Sequence, residues 1–304
     1  MSAGGAGEKD GDLSLEGVRG AATCRPAFHP QTSTIIFGTD RYVVALDWRN
    51  AEERVLQGHQ ATIQAVAFSP DGSVLYSCDG RQLLAWDGDH WGMLQAWQLP
   101  ALEGFPSEVD QPRTVLAMAC TGGGRFLALW EELPPELRVD QARGVIRFFD
   151  LNPARDLPEI ASHAFSAAET PSASPAVLLG MTEGFDILAL ASKAVVLLAN
   201  ENALHGDDYA GASGHMGREQ VQLWRRWTLR PPTDSHFVAM ARGSGPEVCI
   251  LTADGTISGV DLSRGRELYR TTLDPGGWPY TSLHISGGLW FVGNAKGAVG
   301  VQRW

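Results

Sequence analysis

Apolar residues along this chain come in short runs of four to seven, cut by Gly, Asp and Pro, and no stretch keeps a helical period. That pattern predicts antiparallel strands joined by tight turns. Residues 58–87, GHQATIQAVAFSPDGSVLYSCDGRQLLAWD, supply a template. A strand ends in Phe68-Ser69-Pro70, and Asp71-Gly72 make a turn. A second strand spans Val74 to Cys78, Asp79-Gly80 turn again, a third runs Gln82 to Trp86 and ends in Asp87, and Met93 to Leu99 form a fourth.

The template recurs at 27–47, 114–150, 177–200, 237–261 and 281–304, giving six copies. Their third strands end at Asp47, Asp87, Asp150, Asn200, Asp261 and about Trp304. Fourth strands follow as EERVLQG, GMLQAWQL, DLPEIASHAF, EQVQLWRRWTL and ELYRTTL, which places Trp224 in a fourth strand. Four strands per repeat of 40–60 residues predict an all-β propeller of four-stranded antiparallel blades. Six recognisable copies suit a closed six-bladed ring or an incomplete seven-bladed one. Alternate strand residues should face neighbouring blades, so Phe28, Val66, Phe68, Leu84, Ile146, Val195 and Ile250 are expected to be buried.

The segment 58–87 resembles a WD repeat through Gly58-His59, Ser69-Pro70-Asp71-Gly72 and Trp86-Asp87. The other copies are degenerate and lack the Gly-His. The resemblance implies a hydrogen-bonded network of His59, Ser77, Asp79 and Trp86 that fixes strand angles and supports the indole N–H. Asp79 lies seven residues before Trp86, whereas Asp254 lies six before Val260, so the turn should be one residue longer and the network incomplete. A catalytic reading of His59 and Asp79 lacks a visible nucleophile.

Composition narrows the function. The formal charge is −11 over 304 residues and the basic groups are scattered, with Arg225-Arg226 the densest pair, which argues against nucleic acid. Cys24, Cys78, Cys120 and Cys249 are far apart and each sits in an apolar run, as expected of reduced, packed thiols. Residues 1–13 are Gly-rich and charged rather than signal-like, and Ile187 to Ala199 is interrupted by Lys193 and too short to span a bilayer. These features point to a cytoplasmic compartment and no membrane partner.

Catalytic signatures are missing: no phosphate loop, no nucleophile elbow, no H-E-x-x-H. Thr121-Gly122-Gly123-Gly124-Arg125 falls where the template has its strand turn. Residues 200–218 hold His205, Asp207, Asp208 and His215, but their Gly- and Ala-rich surroundings favour an insertion over a metal site. No cofactor or metal is implied. Two other insertions, 131–143 and 166–175, should share one face of the propeller, with 200–218 on the opposite face. Glu131, Glu132, Arg138 and Asp140, together with His205, Asp207 and Asp208, are the candidate partner-binding loop residues.

A second resemblance spans residues 26–78, where AFHP, IIFG, YVVALD and ERVLQGHQATIQAVAFSPDGSVLYS follow one another. This order is similar to the opening blades of echinoderm microtubule-associated protein-like and cilia- and flagella-associated WD-repeat proteins. It implies a non-catalytic scaffold in the cytoplasm or axoneme, with microtubule or axonemal proteins as partners. The alternatives are a WD-repeat adaptor in another complex, such as a ubiquitin ligase or an RNA-processing assembly, and, more distantly, a propeller hydrolase. Residues 1–21 read as a disordered or strand-donating tail ahead of a propeller over 22–304. The sixth copy stops after its third strand, so either residues 12–17, DLSLEG, supply a fourth strand or the chain continues in a longer protein, the reading preferred here.

Overall fold

A computed structural model of the chain describes residues 22–101, 113–121, 124–135, 138, 142–151, 157, 159–166, 168–169, 176–180, 186–200, 223–242, 247–273, 278–286, 289–296 and 299–303. Blade one comprises β1 (Ala27–Phe28), β2 (Thr34–Thr39), β3 (Tyr42–Asp47) and β4 (Glu52–Gln57). Blade two comprises β5 (Ala65–Phe68), β6 (Val74–Cys78), β7 (Gln82–Asp87) and β8 (Met93–Gln98). Blade three is β9 (Thr114–Thr121), β10 (Phe126–Glu132), β11 (Ala142–Asp150) and β12 (Glu159–Ser166). Blade four is β13 (Val177–Gly180), β14 (Ile187–Ala191), β15 (Ala194–Asn200) and β16 (Leu223–Leu229). Blade five is β17 (Phe237–Arg242), β18 (Glu247–Thr252), β19 (Thr256–Asp261) and β20 (Glu267–Thr272). Blade six has β21 (Tyr280–Ser286), β22 (Leu289–Asn294) and β23 (Val299–Arg303).

Within each blade the strands pair antiparallel in chain order. The molecule is therefore an all-β, six-bladed propeller, with no helix of an α type among the described residues. Third strands end at Asp47, Asp87, Asp150, Asn200 and Asp261, as the repeat pattern predicts. The aspartates mark these ends for a physical reason: a carboxylate there can accept amide protons of the following turn. Asp87 Oδ1 takes the amides of Asp89 and His90 at 2.9 and 2.6 Å, and Asp261 Oδ1 those of Ser263 and Arg264 at 2.8 and 3.3 Å.

The core is a series of apolar layers between blades. Ile36, Val43, Leu75 and Leu84 fill the space between blades one and two, and Tyr76, Leu83, Leu127 and Phe149 that between two and three. Comparable layers join blades three to four, four to five and five to six. The seam between blades six and one is thinner. Phe37, Val44 and Leu46 form a small cluster of blade-one residues, while Val299 and Val301 on the outer strand of blade six stand exposed. That blade has three described strands, the number its own copy of the repeat supplies; residues 12–17, one expected source of a fourth, and Trp304 lie outside the described residues.

Of the residues expected to be buried, Val66, Leu84, Ile146, Val195 and Ile250 are. Phe68 is only half-buried, and Phe28 is 48% exposed, which corrects the expectation. Both end the innermost strand of their blade, where side chains border the central channel as well as the layer between blades. Phe28 stacks on His284 of blade six with ring centroids 4.9 Å apart, so it bridges the thin seam.

Candidate functional site

His59, just before β5, sits against Ser77 of β6, and Asp79 begins the turn into β7, which carries Trp86. His59 Nε2 and Ser77 Oγ are 2.7 Å apart, the Trp86 indole N–H donates to the same Oγ at 2.8 Å, and His59 Nδ1 lies 3.1 Å from Asp79 Oδ2. The arrangement is self-consistent when Nδ1 carries the proton toward the carboxylate and the Ser77 hydroxyl donates to Nε2. Asp79 Oδ1 also accepts the amides of Arg81 and Gln82 at 2.9 and 2.8 Å. Burial alone would raise the Asp79 pKa; the hydrogen bonds from His59, Gln82 and Arg81 outweigh it and hold the carboxyl below its ordinary value.

The turn is not longer than its counterpart. Three residues separate β6 from β7 and three separate β18 from β19. What differs is the place of the aspartate, first after the strand in blade two and second in blade five. Gly80 makes this possible: its φ is +81°, and a Cβ there would sit 2.1 Å from the Arg113 carbonyl oxygen.

Ser77, His59 and Asp79 have the connectivity of a hydrolytic triad. Chemistry does not follow from it. Ser77 and Asp79 are fully buried, the hydroxyl is occupied by Trp86, and none of these residues lines the cavity along the propeller axis. The arrangement can fix strand geometry but cannot admit an acyl group.

The loop candidates fare differently. Glu131 was expected on a partner-facing loop; it lies instead in β10, completely buried, between Arg113 Nη1 at 3.1 Å and Arg147 Nη1 at 3.1 Å. Arg147 is also fully buried, pairs with Glu159 at 2.7 Å, and donates to the Pro100 and Ala101 carbonyls at 3.0 and 3.3 Å. This network locks blade three to the end of blade two. Glu132 ends β10 and faces Arg138 at 3.5 Å; Arg138 Nε donates to the Leu133 carbonyl at 3.1 Å, so both are partly used within the loop. Asp140, His205, Asp207 and Asp208 lie outside the described residues.

A site that the repeat pattern did not single out is the central channel, a cavity of about 590 Å³. Its wall comes from the innermost strand of every blade and is chiefly Ala, Val, Leu, Met and Phe. Gln64 contributes to it but is consumed in joining blades, donating to the Arg113 carbonyl at 2.8 Å and accepting from the Val115 amide at 2.5 Å. Two charged side chains remain, Arg25 and Arg242, and the described lining contains no Asp or Glu. Residue pattern could have revealed Arg242, since blades one and two place Phe28 and Phe68 at its position; Arg25 lies ahead of β1 and carries no such signal.

Blade two carries the strongest family signature. Residues 50–87 match the family model described as WD domain, G-beta repeat. Propellers of WD40 type also appear among similar solved structures. U3-55K matches with 13% identity and a TM-score of 0.62 over 95% of this chain and 79% of its own. The RRP9 WD40 repeats give 13% and 0.62 over 95% and 78%, and the Myceliophteria thermophila Cps50 (Swd1) β-propeller domain 14% and 0.53 over 94% and 98%. At such identities the likeness concerns the fold. No curated protein matches significantly.

Proposed function

We propose that the chain is a non-catalytic protein-interaction scaffold. The observation that carries this reading is the channel: six blades converge on a mostly apolar wall whose described charged groups are two arginines, without the carboxylates a propeller hydrolase would need there. The triad-like residues of blade two support the same reading, because they are buried away from that channel.

The finer proposal is a cytoskeletal or ciliary role, in the cytoplasm and the axoneme, with microtubule or axonemal proteins as partners. It rests on the similarity of residues 26–78 to the opening blades of microtubule-associated WD-repeat proteins. The second reading is a subunit of another assembly, such as a ubiquitin ligase or an RNA-processing complex. The fold likeness to U3-55K, RRP9 and Cps50 is compatible with it but carries no partner. Affinity purification with mass spectrometry separates them. Tubulin and dynein-associated proteins are expected for the first; a cullin or RNA-processing factors in their place would favour the second.

A further inference from the structure

Blades one to five each send a bulky apolar side chain from the outermost strand into the layer shared with the next blade. Leu56 does so for blade one, Trp97 for blade two, Phe165 for blade three, Trp227 for blade four and Tyr269 for blade five. All but the first are aromatic. The described strands of blade six end at β23, so among the described residues the layer between blades six and one has no such contribution.

The register shows what is left open there. On blade six, Leu283, Trp290 and Val292 face blade five, so the alternate residues face blade one. His284 pairs with Phe291 and Phe291 with Val301, while Gly293 pairs with Val299. On blade one, Val44 pairs with Val55 and Leu46 with Glu53, which turns Val55 and Glu53 of β4 toward blade six. The inner part of this seam is closed by Phe28 on His284. Its outer part is open: Val299, Val301 and Val55 are 66%, 58% and 48% exposed. Glu53 is exposed too, and its carboxylate has no ion pair or hydrogen bond among the described residues. No described strand lies beside the outer edge of β23, so its outward amides and carbonyls can take a further strand.

We propose that the seam between blades six and one receives an extended segment of a partner protein as the fourth strand of blade six, with an aromatic side chain that packs against Val301 and Val55 and a lysine or arginine two residues along that meets Glu53. The aromatic residue is what the outer strands of blades two to five supply at their own seams. A cation two positions away falls on the same face of the strand, opposite an acid that is accessible and unpaired. The chain's own stretch 12–17, DLSLEG, offers two leucines but neither an aromatic nor a basic residue. A second copy is a poorer match, since two chains of net charge −11 repel each other.

This proposal rests on the scaffold reading, and the test separates the two. The probe is a fluorescein-labelled peptide, Ser-Lys-Thr-Trp-Thr-Val-Ser, whose Lys, Trp and Val share one face, followed by anisotropy with the full chain. Saturable binding below about 1 mM is expected, weakened at least ~10-fold by Ala in place of Trp or Glu in place of Lys. Methylating the backbone nitrogens of the two threonines, or those of Trp and Val, should abolish binding in one series and spare it in the other, because an added strand pairs through alternate amides. Val299→Lys/Val301→Lys and Val55→Lys should each weaken binding by about 10-fold or more, and Glu53→Lys should reverse the preference between the lysine and glutamate peptides. Leu94→Lys, on the exposed outer strand of blade two, should change nothing. Unaltered melting temperatures check that the variants are folded. Binding that survives the valine variants or tolerates both methylation series would overturn the proposal. So would a lower melting temperature together with tighter peptide binding in Leu13→Asp/Leu15→Asp, which would give the seam to the chain's own stretch, or a dimer in sedimentation that the valine variants dissolve. Affinity purification with wild type and Val299→Lys/Val301→Lys is the second arm. Identical partners for both would sink the seam proposal and leave the scaffold reading standing; no partner for wild type would sink the scaffold reading and the seam proposal with it.

Discussion

Glu131 offers the sharpest test of how blades two and three are joined. Its carboxylate is fully buried and faces two guanidiniums, while Arg147, also fully buried, keeps Glu159 and two carbonyls as further partners. Replacing Glu131 by Leu leaves Arg147 Nη1 against an apolar side chain in a dry site. Breaking a buried pair from one side costs about 3–5 kcal/mol, and the retained Glu159 contact argues for roughly 3. Glu131→Gln keeps one acceptor oxygen and should cost about half as much. The double substitution Glu131→Leu/Arg147→Met removes both buried charges; Glu159 and Arg113 are partly exposed and can turn to water, so the double variant should recover to within about 1–2 kcal/mol of wild type. Urea denaturation followed by tryptophan fluorescence measures wild type, Glu131→Leu, Glu131→Gln, Arg147→Met and the double variant, and because the pair is buried the single-variant losses should change little between low and high salt. If the double variant is as unstable as the two single losses added together, the residues act through packing alone and the electrostatic account is wrong.

Three further outcomes follow from the geometry. Ser77→Ala strips the shared partner from His59 Nε2 and Trp86 Nε1 and should lower stability by about 1–3 kcal/mol in chemical denaturation, as should His59→Ala, with partner capture intact at temperatures where the fold persists. Gly80→Ala should be clearly destabilising, because the backbone is left-handed and the new methyl would collide with the Arg113 carbonyl, while Gly92→Ala, with open space around it, should be nearly neutral in thermal melts. His163 is held down to about 4, mainly by burial and further by Arg225. A base depressed in the fold contributes stability above its unfolded pKa that is lost as pH falls, so the melting temperature should drop between about pH 6.5 and 4, and His163→Gln should flatten that part of the profile.

The blade pattern was legible because it is written in local chemistry. An aspartate at the end of a third strand both stops the strand and accepts the amides of the next turn, so Asp47, Asp87 and Asp261 announce themselves without tertiary information. The Gly-His, Ser and Trp of blade two were likewise readable, since each has a position fixed by its own strand. Counting from Asp79 to Trp86 failed because it compared aspartates that occupy different places in turns of equal length. Glu131 was misplaced because the insertion after Trp130 looked like loop; in fact the strand continues through Glu132, and the lone Arg147 within VIRFFD was the available sign that a buried acid must lie opposite.

The channel escaped the same reading for a reason that lies in the architecture. Alternation along a strand tells inward from outward but does not distinguish the layer between blades from the channel, which is why Phe28 was expected to be buried and is not. The channel's chemistry is spread over six strands, one residue per blade at each level, and no window of sequence contains it. It becomes legible only when the repeats are stacked by register. Phe28, Phe68 and Arg242 then fall on one level, and the substitution of a charge for a ring is visible as a departure within the repeat. A repeat that needs only a core would tolerate an apolar residue at that level, as blades one and two show. Arg242 takes no hydrogen bond or ion pair among the described residues, so at that level its charge adds to the potential of the channel rather than to the packing of blade five.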